Sequence, residues 1–259
     1  MAAPALALDP RLARTGARAA FGVAGAFVAS ALCAAAMPPE LQGRPEIPAH
    51  EFWTVLTRDP AAHLAFHASF VIAGLCGLVA VPALSAPLWR AHPGAVLWSG
   101  AAAWLGFAVL ARSHLMELAF DRKVIPAYPS ASPAFQEAVH VVAGLALDVP
   151  DGVLTHGAIG VWMATLGVLA FRHGVASRGF AALSLAAGAT QLAGVVGYAL
   201  LVRPLLVAAI GAGGGLLVPA WFLLAGRRLL RPRSGGGAPP PPGRTPSRAA
   251  HGSPPAASA

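Results

Sequence analysis

Four short spacings in this chain set imidazole beside carboxylate or beside a second imidazole. His63 and His67 are four residues apart. His114 and Glu117 are three apart, with Asp121 four further on. Glu137 and His140 are three apart, and His50 adjoins Glu51. Residues three or four apart share one face of a helix, so each pair can present two donor atoms to one point. Imidazole nitrogen with carboxylate oxygen suits zinc, iron, copper or manganese. A divalent transition metal held there would polarise a substrate or activate a bound water. The expected metal ligands are His63, His67, His114, Glu117, Glu137 and His140, and the expected contacts to another ligand are His50, Glu51, Asp121 and Gln191. Glu-x-x-His is also a spacing used by di-metal helical bundles. Here, however, the pairs lie on separate segments, and spacing alone does not make them converge.

The competing reading is that these groups are solvated side chains at a membrane surface and hold no ion. His67 differs from the others. It lies two turns inside its helix, where an unpaired polar group carries a desolvation cost, so a backbone carbonyl or Gln191 is its expected partner. Haem is disfavoured as a cofactor, because axial histidines sit at matching depth on two facing helices and only His67 falls clearly within a span. No phosphate-cradling glycine loop is found: Gly211–Gly215 lies mid-span with no lysine after it. There is no Gly-x-Ser-x-Gly elbow, and no catalytic residue is assigned.

These pairs are positioned by helices that only a membrane can solvate. Hydrophobic residues make up 56% of the 259 residues and charged residues 11%, far below the roughly one quarter of a soluble domain. The net charge of +8 comes from arginines at the ends of apolar runs. They form no basic stripe interleaved with aromatics, which excludes a nucleic-acid partner. Cys33 and Cys76 both lie in apolar runs and read as small buried hydrophobes.

A spanning helix needs about 20 mainly apolar residues, and six segments provide them. They are Ala19–Met37, Ala62–Leu84, Pro93–Ala111, Gly152–Phe171, Gly179–Val202 and Pro204–Gly226. Asp59 is expected to cap the second with Pro60 as its first residue, and Asp151 to cap the fourth. Within the outer stretch 113–151, Ser132-Pro133 starts a pattern of Phe135, Val139, Val142 and Leu145 at helical spacing. This predicts a short surface helix over 133–147. The chain therefore divides into a segment 1–18, a membrane domain 19–230 and a tail 231–259. The Gly/Pro/Ser-rich composition of that tail predicts disorder.

Nine of the ten carboxylates fall in residues 38–61 and 113–151, and six of the nine histidines lie in or beside the same stretches. With the N-terminus inside, twelve Lys and Arg fall on inner segments and six on outer ones. The positive-inside rule then puts both termini in the cytoplasm, with the acidic and histidine-bearing face outward across the inner (cytoplasmic) membrane. Arg11, Arg14 and Arg18 before an apolar run could also head a signal peptide. The run is longer than a usual signal core, which favours a retained helix. Small residues such as Gly157, Gly160, Gly188, Gly194 and Gly197 let helices four to six approach closely. They serve packing within one bundle before they serve a helix-packing partner in the bilayer.

Around helices four and five the sequence reads Gly160-Val161-Trp162, Leu166-Gly167, Phe171, Gly174, Arg178, Leu183 and Gly188. This stretch, with the long outer segment before it and Trp221 in helix six, resembles a bacterial family of six-span membrane proteins, the domain of unknown function 4386. The resemblance implies a fold and no activity. The expected fold is an all-α polytopic membrane bundle of six transmembrane helices plus a short outer-surface helix. The expected function is non-enzymatic binding of a small ligand, lipid or cation at the outward face, as sensor, accessory subunit or carrier. The alternatives are a metal-dependent membrane enzyme using the same face and a structural subunit. A transporter is disfavoured because the acids avoid the midplane.

Overall fold

The computed structural model describes residues 9–41, 48–146, 150–200 and 202–231. Glu46, Asp148 and the expected disordered tail lie outside the described residues. Every extended element described is helical: α1 (Pro10–Ala36), α2 (Ala49–Arg58), α3 (Ala61–Ser85), α4 (Pro93–Ala127), α5 (Pro133–Ala146), α6 (Pro150–His173) and α7 (Arg178–Ala199). The sixth span then runs as α8 (Arg203–Ala208), a π-helical segment (Ala209–Leu217) and α9 (Val218–Leu230). Six of these segments are long and apolar enough to cross a membrane, and the chain is a multi-pass membrane protein. The reason is physical. A lipid-exposed backbone must satisfy its own polar groups, which a helix does within one segment.

Several boundaries differ from the hydropathy reading. α1 starts at Pro10, because Asp9 accepts a hydrogen bond from the Arg11 amide at 2.7 Å and Pro10 occupies the first helical position. Arg11, Arg14 and Arg18 therefore ride on the helix. Asp59 does not cap α3. It follows α2, where its amide donates to the Val55 carbonyl, and α3 begins after Pro60 with no side-chain cap. Asp151 lies inside the first turn of α6, which begins at Pro150. Residues 49–58, expected as loop, form α2. This short helix buries Trp53 and Leu56 against Val124, Tyr128 and Val139 at one end of the bundle. The stretch from 113 onward is helical as well. α4 continues to Ala127, well past its apolar run, because Asp121 and Val124 are buried against neighbouring elements. The short helix expected over 133–147 is α5.

The spans pack as a closed ring. α1 lies against α3, α3 against α4, α4 against α6, α6 against α7, and α9 returns to α1. Phe107, Trp162, Trp221 and Phe222 meet at the centre, all at most 1% exposed. Trp162 crosses Trp221 at 5.4 Å between ring centroids, edge to face. Such aromatics bring a polar edge into the core, and each finds a partner. Trp162 Nε1 donates to Ser85 Oγ at 3.0 Å, and Trp221 Nε1 donates to Ser184 Oγ at 2.8 Å. Replacing Ser85 with alanine leaves the buried Trp162 N–H without its acceptor. We expect a loss of about 1–2 kcal/mol in detergent unfolding. An unchanged midpoint would mean that the indole re-pairs.

Glycine decides the closest approaches. A Cβ on Gly188 of α7 would lie 2.7 Å from the Ala164 amide nitrogen and 2.8 Å from the Gly160 carbonyl oxygen of α6, so these backbones touch. Gly174, at φ 61°, turns the chain from α6 toward α7 in a conformation that costs a side chain. In the π-helical segment, Gly213 rests on Thr190 of α7. Four glycines in nine residues remove the side-chain contacts that favour the tighter α winding.

Candidate metal centre

At the end of the bundle capped by α2 and α5, α3 and α4 run antiparallel in contact. His63 and His67 share one face of α3 by their i, i+4 spacing. On α4, His114, Glu117 and Asp121 share a face at i, i+3 and i+7. Antiparallel packing brings the earlier residue of one helix to the later residue of the other. His63 Nε2 lies 3.2 Å from Asp121 Oδ2, and His67 Nδ1 lies 2.8 Å from His114 Nδ1. One donor atom from each of His63, His67 and Asp121 falls within 4.8 Å of the others.

These groups are out of water. Asp121 is 1% exposed, His67 7% and His63 9%. Phe66 packs edge-on to His67, Phe52 edge-on to His63, and Phe70 stacks on His114 at 4.5 Å. Aromatic walls exclude solvent and lower the local dielectric, so a polar group here must be satisfied by the protein or by an ion. Asp121 Oδ2 accepts no hydrogen bond and meets His63 Nε2 at ion-pair distance. Its approach to His63 lacks hydrogen-bond geometry, and it is the one buried side-chain oxygen without a partner among the described residues. Between His67 and His114 one ring nitrogen donates and the other accepts, so this pair is locked in complementary tautomers.

One pair of this donor set has the spacing of two ligands on one metal ion. Two bonds of roughly 2.0–2.1 Å at a tetrahedral angle separate ligand atoms by about 3.3 Å. The His63–Asp121 separation of 3.2 Å matches that value. If His67 ligates through Nε2, its Nδ1 carries the proton and donates to His114, an outer partner that fixes ring orientation. Two imidazoles and one carboxylate leave open coordination positions, the arrangement of catalytic zinc and non-haem iron sites.

Of the ten expected residues, the fold brings together His63, His67, His114 and Asp121. Glu117 is half-buried on the same face of α4, between His114 and Asp121. The others are elsewhere. His140 Nε2 pairs with the Tyr128 hydroxyl at 2.8 Å, and Tyr128 stacks on Trp53, so His140 belongs to the cap. Glu137 is exposed on α5, and His50 and Glu51 are exposed in the first turn of α2. Gln191 Oε1 pairs with His156 Nδ1 at 2.5 Å and not with His67. His67 meets α4 instead of α7 because α3 packs against α4. Asp121, read as a contact for another ligand, sits with the imidazoles because the extension of α4 carries it there. His156 was overlooked as Gln191's partner, and its place nearly two turns into α6 was the available signal.

Comparison with family models, with curated proteins and with solved structures finds no match to this chain.

Proposed function

We propose that this multi-pass protein of the inner (cytoplasmic) membrane binds one divalent transition-metal ion through His63, His67 and Asp121, as a sensor, accessory subunit or carrier. His114 orients His67. The observation that carries this reading is the buried Asp121 oxygen, which has no hydrogen-bond partner and lies 3.2 Å from an imidazole nitrogen. A buried carboxylate oxygen without a hydrogen bond is costly, and a neutral His63 offsets little of that cost; an ion bound between it and two imidazoles removes it. The excess of arginine at the opposite end supports both termini in the cytoplasm and the metal site facing outward. The family resemblance of residues 157–190 belongs to this reading for the fold alone.

Metal content decides it. Full-length protein purified in detergent and dialysed against Zn2+, Mn2+ or Fe2+ is expected to retain about one equivalent of one of these ions. A His63→Ala/His67→Ala variant should retain almost none and still purify as a monodisperse species. Absence of metal in the wild type under all three conditions would overturn the proposal.

A second reading has one observation in its favour. Glu117 offers another carboxylate one turn from Asp121 on the same helix face. Beside a metal-bound water it would serve as general base, making the site hydrolytic. A Glu117→Gln variant that keeps its metal and loses a hydrolytic activity found by substrate screening would support this reading.

A further inference from the structure

The opposite end of the ring holds a different kind of site. The turn after α3, the α6–α7 turn and the ends of α6, α7 and α9 surround a shallow cleft, open at its mouth. Its walls are aliphatic and aromatic, with Leu84, Leu88, Ala170, Phe180 and Ala225 among them. Arg228 is its one charged side chain. Arg228 is half-buried, its guanidinium lies 4.6 Å from the centroid of the Phe180 ring, and no carboxylate pairs with it among the described residues.

Charge says what covers it. Alternating spans put Arg11, Arg14 and Arg18 of α1, Arg90 after α3, Arg172 and Arg178 beside the α6–α7 turn, and Arg227, Arg228 and Arg231 around the end of α9 at this one end. The approach of Gly16 on α1 to Ala83 and Leu229 holds three of these helix ends together. Asp9 is the one carboxylate at this end among the described residues. The cleft therefore opens where an apolar tail meets a concentrated positive field. Guanidinium binds phosphate oxygens in a bidentate fork, and basic clusters at a membrane surface attract anionic lipids. A soluble anion would leave the apolar walls unused, and a zwitterionic lipid would bring a cationic headgroup into the same positive field.

We propose that this cleft is a site for one anionic phospholipid, its acyl chain against Leu84, Leu88 and Ala225 and its phosphate on Arg228. The site is remote from the metal centre and stands or falls separately from it.

The test is native mass spectrometry of the full chain in detergent with equimolar phosphatidylglycerol and phosphatidylcholine. The wild type is expected to retain phosphatidylglycerol over phosphatidylcholine by roughly fivefold, as expected for one basic contact at a membrane surface. Arg228→Gln should abolish that preference, while Arg227→Gln, at a neighbouring exposed arginine outside the cleft, should keep it. Ala225→Phe, which fills the cleft, should lower retention of both lipids. If that variant fails to fold, the Arg228 and Arg227 pair still decides. Glycerol 1-phosphate in excess should not displace the lipid, because a headgroup alone leaves the walls bare. Equal retention of the two lipids by the wild type, or equal losses in Arg227→Gln and Arg228→Gln, would overturn the assignment.

Discussion

Asp121→Asn is expected to lower metal affinity about 100-fold or more while leaving the metal-free protein at least as stable as the wild type. The first half follows because loss of even an outer partner costs about 10- to 100-fold, and Asp121 supplies a ligand atom. The second half follows from its burial. At 1% exposure, with an oxygen that no hydrogen bond reaches, the carboxylate is expensive to keep out of water, and a neutral amide of the same shape is less so. A site selected for binding carries this signature, in which removal of a function-bearing group relaxes the fold. A purely structural role gives the opposite sign. If Asp121 existed to pair with His63, breaking the pair would cost about 3–5 kcal/mol. Isothermal titration with Zn2+ and thermal unfolding of the chelator-stripped protein separate the two. A destabilised variant with no change in metal affinity would sink the metal-centre reading.

Gly188→Ile should be among the most damaging single substitutions in the bundle. The first side-chain atom would meet the backbone of Ala164 and Gly160, neither of which can rotate away. Relief requires α6 and α7 to part along their length, and that parting also breaks the pairing of His156 with Gln191. Overpacking costs about 1–3 kcal/mol where side chains can yield. Here backbone must move, so we expect about 3 kcal/mol or more, read as loss of the monodisperse peak in size-exclusion chromatography. Gly25→Ile is the matched control, because nothing lies within 4 Å of a Cβ there. Equal behaviour of the two variants would mean that α6 and α7 are not in backbone contact.

The sequence by itself determined the parts that depend on local properties. Bilayer thickness and backbone satisfaction turn an apolar run into a span regardless of its neighbours, so six spans and an all-α fold were legible from composition and run length. The faces of His63 with His67 and of His114 with Glu117 and Asp121 were legible for the same reason, since helical spacing is local. The surface helix α5 announced itself through Ser132-Pro133 and its apolar period.

Tertiary structure decided the rest. α2 and the extension of α4 are too polar for hydropathy to count them. They are helical because Trp53, Leu56 and Val124 bury one another. Which imidazole meets which carboxylate depends on the antiparallel register of α3 and α4, separated by about 50 residues of chain, and no spacing rule reaches that far. That register gave Asp121 to the histidines, while the packing of α5 left His140 with Tyr128. Periodicity names a face, but only packing names what that face meets.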